Sequence, residues 1–206
     1  MIYEIRTYTL KPGSIPEFEK RFEDSLESRL RYSELAAFWH TDIGSLNQVI
    51  HVWPYEDLHQ RQEIRARLKQ EPDWPPKTSD LVVLQQSEIF IPAPYSPKLG
   101  GGQKLGNIYE MRIYQFQAGS IPTVIERWGK ALPLGRTDLS PIAACMSSEL
   151  GQLNVWIHIW PYASLDERSR IRAESRKLDT WPPKTREFLI SQQNKILIPA
   201  SFSPMA

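Results

Sequence analysis

The side chains best equipped for chemistry occur in pairs along this chain. Glu4, Arg6 and Tyr8 alternate with other residues, and Glu110, Arg112 and Tyr114 repeat the same order. Alternation puts each set on one face of a strand, with Glu4 and Arg6 about 6.5–7 Å apart between α-carbons. One reading is a structural ion pair that satisfies polar groups at a packed seam. The other is a ligand pocket in which Arg6 or Arg112 anchors a carboxylate or phosphate. His51 and His158 are the two of four histidines that recur. Flanked by apolar residues, each reads either as a hydrogen-bonded core histidine or as a general acid/base, because a reference pKa of about 6.5 lies near working pH. A metal site needs three or four converging ligands. With one candidate histidine and one candidate glutamate per repeat, no metal is expected. Cys145 aligns with Phe38, so nothing marks it as a nucleophile. There is no glycine-rich phosphate loop, nucleophile elbow or zinc-binding helix.

The elements that position these residues come in two copies. Ile2–Tyr8 recurs as Ile108–Tyr114, and Gly13-Ser14-Ile15-Pro16 as Gly119-Ser120-Ile121-Pro122. Ile50-His51-Val52-Trp53-Pro54-Tyr55 returns as Ile157-His158-Ile159-Trp160-Pro161-Tyr162, and Trp74–Thr78 returns unchanged as Trp181–Thr185. The spacing grows by one residue before Ser140, which marks a single insertion. Repeats of this kind decide architecture before any other signal. The division is residues 1–95, a glycine-rich linker over 96–107 read as a flexible tether, and residues 108–206.

Within a copy the period changes in order. Residues 2–10 alternate as a strand, and Ser14 opens a helix with Glu17 completing a capping box. Ile15, Phe18, Phe22 and Leu26 form its apolar stripe. Strands follow over 35–42 and 46–53, joined at Ile43-Gly44-Ser45. Asp57 with Gln60, and Ser164 with Glu167, cap a second helix on which Arg61 and Arg65 (Arg168 and Arg172) share a face. A last strand covers about 86–91. Trp53-Pro54-Tyr55 and Trp74-Pro75-Pro76 read as rigid turns anchored by an aromatic ring. The order βαββαβ is the ferredoxin-like α+β arrangement, four antiparallel strands with both helices on one face.

On the third strand one face carries Ile50, Val52, Ile157 and Ile159, which suits packing on helices. The opposite face carries Asn47, Val49, His51 and Trp53, with Asn154, Trp156, His158 and Trp160 as counterparts. Together with the Glu-Arg-Tyr sets this makes a mixed aromatic and polar face, unusual to leave in water. The expectation is that the two antiparallel sheets pack face to face within one chain and enclose it as a barrel interior. Glu4, Arg6, Tyr8, Asn47, His51, Trp53, Glu110, Arg112, Tyr114, Asn154, Trp156, His158 and Trp160 would line a ligand site there. His51 and His158 are its catalytic candidates.

Composition narrows the partners. The 206 residues carry 25 basic and 24 acidic side chains, a formal charge of +1. That balance gives no footprint for nucleic acid or anionic membrane. No apolar run reaches the roughly 18–20 residues that span a bilayer. One cysteine excludes an intrachain disulfide, and the chain opens directly on a strand. A cytoplasmic protein is expected.

The opening Ile-Tyr-Glu-Ile-Arg-Thr-Tyr, the Lys11-Pro12-Gly13 turn and His51-Val52-Trp53-Pro54-Tyr55 before an arginine-bearing helix resemble the NIPSNAP domain. The resemblance covers both copies, with Gln117-Ala118-Gly119 replacing Lys-Pro-Gly in the second. It implies a dimeric α+β barrel, here formed within one chain. Animal members are mitochondrial proteins linked to trafficking and mitophagy signalling, a role not carried over to this chain. The wider superfamily includes cofactor-independent mono-oxygenases, haem-degrading enzymes and small isomerases, so haem is a minor branch; otherwise no cofactor is expected. Two functions follow as expectations. The first is binding or transformation of a small molecule inside the barrel. The alternative is a non-catalytic protein-interaction module using the outer helices or aromatic loops. Further assembly into homo-oligomers is left open.

Overall fold

Each copy begins with a strand that is covered on both faces, so that Tyr3, Glu4 and Ile5, like Tyr109, Glu110 and Met111, are buried in succession, and the same order of elements follows twice. In the computed structural model, which describes all 206 residues, the first copy runs β1 (Ile2–Leu10), α1 (Ile15–Leu30), β2 (Ala37–Ile43), β3 (Gln48–Tyr55), α2 (Leu58–Leu68) and β4 (Val82–Pro92). The second runs β5 (Ile108–Phe116), α3 (Ile121–Ala131), α4 (Thr137–Leu139), β6 (Ala144–Leu150), β7 (Val155–Tyr162), α5 (Leu165–Ser175) and β8 (Leu189–Pro199). The expected capping box at Ser14 does not form; Glu17 instead accepts from Arg21 on the next turn. Asp57 and Ser164 do cap α2 and α5, accepting from the backbone N–H of Gln60 and Glu167. Trp53-Pro54-Tyr55 belongs to β3 rather than to a turn. Pro54 lies beyond the end of β2, so its missing N–H faces no partner strand.

The two sheets do more than face each other. Strands join in the closed order β1-β3-β2-β8-β5-β7-β6-β4, so that β2 pairs with β8 and β4 with β6 across the copies. All these pairs are antiparallel. Closure removes the sheet edges over the paired lengths. No helix is long and apolar enough to cross a membrane.

The barrel interior holds the face opposite to the one expected. Tyr3, Ile5, Ile50 and Val52 meet Tyr109, Met111, Ile157 and Ile159 there, with Trp39 and Met146 from β2 and β6. An eight-stranded barrel is about as wide as its own side chains can fill, and here they form one buried core of 19 residues. Leu99 and Met205 belong to this core, where the Tyr3 hydroxyl accepts from the Leu99 N–H and the Tyr109 hydroxyl donates to the Met205 carbonyl. The linker is therefore anchored at Leu99 and Gly100, where an added Cβ would lie 2.8 Å from the Ala36 α-carbon. The polar set, with Glu4, Arg6, His51 and their counterparts, looks outward under the helices. Phe18 and Phe22 of α1 pack with Tyr8 and Trp53, and Val124 and Trp128 of α3 with Trp156 and Trp160.

The reason for the reversed parity lies in the helices. α2 buries only Ile64 and Leu68, and α5 only Ile171 and Ser175. Helices this polar cannot cover a wholly apolar sheet face without stranding their own charges. The lumen, whose core includes no helix residue, takes the aliphatic face with Tyr3 and Tyr109 instead.

Candidate functional site

Two clefts result, one per copy, each bounded by the sheet, the helices and the Trp-Pro-Pro loop. Each is about 400 Å³ in volume. Glu4, Arg6, Tyr8, His51 and Trp53 line the first, and Glu110, Arg112, Tyr114, His158 and Trp160 the second. The expected residues thus converge, but in two separate sites outside the barrel. Asn47, Asn154 and Trp156 do not line either. Asn47 and Asn154 sit at φ 56° and 58° in the hairpin loops and use their carbonyls to accept from Leu10 and Phe116. Trp156 stacks under α3 beside Trp128.

Glu4 is almost wholly buried and heavily bonded. One carboxylate oxygen accepts from Arg6 (3.0 Å), Arg61 of α2 (2.7 Å) and Ser87 of β4 (2.6 Å), while Tyr55 donates to the other at 3.3 Å. Arg65 lies 3.8 Å away. Burial works to raise its pKa, but the bonds from Arg61 and Ser87 and the Arg6 charge prevail and hold it at about 2. In the second cleft Arg112 (3.0 Å) and Arg168 (2.5 Å) bond one oxygen of Glu110, Arg172 lies at 3.5 Å, and Asn194 replaces Ser87. Its other oxygen, Oε2, is buried without a partner. Arg6 and Arg112 also donate through Nε to Tyr8 (2.8 Å) and Tyr114 (2.7 Å).

The histidines are tied in a way that fixes their protons. Trp53 Nε1 donates to His51 Nδ1 at 2.7 Å, and Trp160 Nε1 to His158 Nδ1 at 2.6 Å. An indole N–H is only a donor, so Nδ1 must be bare and the single ring proton sits on Nε2. Burial, then the Arg6 charge, pushes the His51 pKa well below the ordinary value; burial, Arg112 and Arg136 do the same to His158. Of the two readings open from the sequence, the Trp–His bonds and the lowered pKa values fit the hydrogen-bonded core histidine better than the general acid/base. Each ring offers one neutral N–H at Nε2, which is buried and has no protein partner. The remaining histidines lie elsewhere: His40 contacts Glu19 (2.7 Å), and His59 is on the outside of α2.

Two further residues escaped the sequence reading. Arg29, near the end of α1, is 3% exposed and stacks on Trp53 with its guanidinium carbon 4.1 Å from the ring centroid. Arg136 is equally buried and lies 3.7 Å over Trp160. The single insertion in the second copy falls between α3 and α4, where the chain kinks through non-helical backbone at Leu134 and at Gly135 (φ 97°). That kink absorbs the extra residue and returns Arg136 to the place Arg29 occupies. The signal was present as an arginine matched across the insertion. Cys145 is buried under the helices, and burial pushes its thiol up to about 12. It is inert there.

The family model for NIPSNAP matches residues 3–97 and 109–204. Protein NipSnap homolog 3A of Homo sapiens is 33% identical over 221 residues, spanning 100% of this chain and 86% of that protein. Among solved structures, a Lactobacillus acidophilus protein is 12% identical with a TM-score of 0.68, covering 96% of this chain and 93% of its own. An anthrone oxidase-like protein is 7% identical with a TM-score of 0.58, covering 100% and 94%. At those identities the two structures speak for the shared fold alone. The repeated motifs, the barrel they build and the match across both halves make this chain a member of the NIPSNAP family.

Proposed function

We propose that this protein binds small molecules, one in each helix–sheet cleft, without a metal. The observation that carries the reading is the unpartnered Nε2–H of His51 and of His158, each beside a cavity of about 400 Å³ walled by two tyrosines and two tryptophans that match between the copies: Tyr8, Tyr55, Trp53 and Trp74 in one, Tyr114, Tyr162, Trp160 and Trp181 in the other. Buried donors are nearly always satisfied, and a bound acceptor is what would satisfy these. The donor set argues against a metal: the one carboxylate of each cleft is held by arginines and the histidine Nδ1 is occupied.

The same geometry favours binding and orientation over proton abstraction. Glu4 is engaged by several donors, burial raises the Tyr8 hydroxyl, and the histidine lone pair is taken. What the cleft offers a substrate is polarisation of a carbonyl or similar acceptor by a fixed N–H. A thermal-shift screen of metabolites on the full chain tests the reading: hits should stabilise the fold, and should weaken when His51 and His158 are replaced by phenylalanine. A screen with no stabilising compound, or hits indifferent to both replacements, would count against it.

A second reading, an interaction module, is favoured by the filled barrel and by Val83, Leu84 and Ile190, which are 65%, 53% and 62% exposed on β4 and β8. A pull-down that depends on these three and ignores the histidines would select it. Our reading keeps the small molecule as partner rather than nucleic acid or membrane, and keeps the cytoplasmic setting, which fractionation of the host checks.

A further inference from the structure

The charges around the clefts do not balance. In the first, Arg6, Arg61 and Arg65 converge on Glu4, and Arg29 stands beside them with no carboxylate within 4 Å. Its partners are the neutral hydroxyls of Ser33 (2.5 Å) and Tyr55 (2.8 Å). Glu4 is the only acidic side chain lining that cavity, as Glu110 is in the second. There Arg136 donates to the Ser140 carbonyl at 3.3 Å and lies against the Tyr162 hydroxyl, again with no carboxylate within 4 Å. Each site therefore gathers four guanidiniums around one carboxylate, in a chain whose formal charge is only +1.

Such an arrangement is costly unless something completes it. A buried charge without a counter-ion carries a desolvation penalty, and stacking on an indole offsets only part of it. Burial lowers the pKa of both Arg29 and Arg136, the same penalty seen as a titration. Yet a guanidinium cannot shed its proton at ordinary pH. Meanwhile Trp53 links a charge that has no carboxylate partner to a donor that has no acceptor: it carries Arg29 on its face and holds His51 through its indole N–H. Trp160 does the same for Arg136 and His158.

Resting on the small-molecule reading above, we propose that the ligand of each cleft is an oxyanion, a carboxylate or a phosphate, carried on a flat aromatic body. Arg29 or Arg136 anchors the anion and the histidine N–H supplies a neutral donor. The Trp-Pro-Pro loop walls the body with Trp74 or Trp181. The aromatic part follows from the walls, the anionic part from the charge excess.

Three probes of one shape separate the terms: 2-naphthoate, 2-naphthyl phosphate and the neutral 2-naphthamide, titrated into the full chain by calorimetry and tryptophan fluorescence. The two anions should bind about tenfold or more tighter than the amide and weaken between about 0.05 and 0.5 M salt. Preference for phosphate over carboxylate, or the reverse, identifies which anion is taken. Combined Arg29→Gln and Arg136→Gln should erase the advantage of the anions while leaving weak binding of the amide. If those variants fail to fold, the comparison of anion with amide and its salt dependence on the unaltered chain still decide. An amide that binds as tightly as the anions overturns the oxyanion inference and leaves the cleft reading standing. Absence of binding by all three overturns both.

Discussion

The first cleft and the second share a plan and differ in charge and fit. Phe22, Leu68, Lys69 and Ser79 line one, where Trp128, Ser175, Arg176 and Arg186 line the other. The second is more basic and less apolar, and its carboxylate is worse satisfied, since Tyr55 reaches Glu4 whereas Oε2 of Glu110 has no partner. The arginine over the tryptophan is reached by different backbones, a continuous helix in α1 and a kinked segment after α3. What survived divergence is the Glu-Arg-Tyr row, the Trp–His bond and the stacked arginine. What drifted is the rim. Under the proposed function, copies that keep an interior geometry by two backbone routes while changing the mouth would hold a ligand in one mode and differ in preference for it.

The carboxylates should give the strongest test of that comparison. Glu4→Gln leaves a cluster of buried guanidiniums without their counter-charge and should cost about 3–5 kcal/mol in denaturant titrations; Glu110→Gln should cost less, because one of its oxygens is already unsatisfied. The sign of the pH effect follows from the lowered Glu4 pKa. Its stabilisation is complete above the unfolded value of about 4.5 and is lost as pH falls toward about 2, and Glu4→Gln should flatten that acid limb. Trp53→Phe and Trp160→Phe should each cost about 1–3 kcal/mol by stranding a buried Nδ1 acceptor, and nitrogen NMR should then show the histidine tautomer no longer fixed. Equal responses would support one mechanism in both clefts; a response in one alone would break the parallel.

Backbone effects come next. Gly135→Ala places a side chain at φ 97° and should cost about 1–2 kcal/mol in thermal melts, while Ser28→Ala at the matching helical position should stay within about 0.5 kcal/mol. Smallest of all, Arg186→Ser gives the second rim the first one's residue. It should weaken anion binding there by about 0.2–1 kcal/mol by calorimetry, with a shallower salt dependence. No change would mean that the rim difference is drift.

Much of this molecule was legible in its residues, and the part that was misread is instructive. The repeat, the element order and the residues of one chemically rich strand face all follow from spacing. Strand parity correctly grouped Glu4, Arg6, Tyr8, His51 and Trp53, and separated them from Tyr3, Ile5, Ile50 and Val52. It did not say which group turns toward the helices. The composition of α2 bears on that choice without settling it: with Arg61 and Arg65 on its inner side and two buried apolar residues, it favours a polar sheet beneath it once it is packed there. Asn47 and Asn154 were grouped with the site by period alone, although a hairpin that needs a left-handed residue accounts for them.

Order along the chain was determined by the sequence itself, because hydrogen-bond periodicity and turn chemistry act between near neighbours. Which sheet face became the lumen, that the sheets close through β2–β8 and β4–β6, and that Arg29 and Arg136 meet a tryptophan were decided only by tertiary structure. Those outcomes depend on competition between whole surfaces for the driest environment, and that competition is settled when the two halves and their helices are packed together.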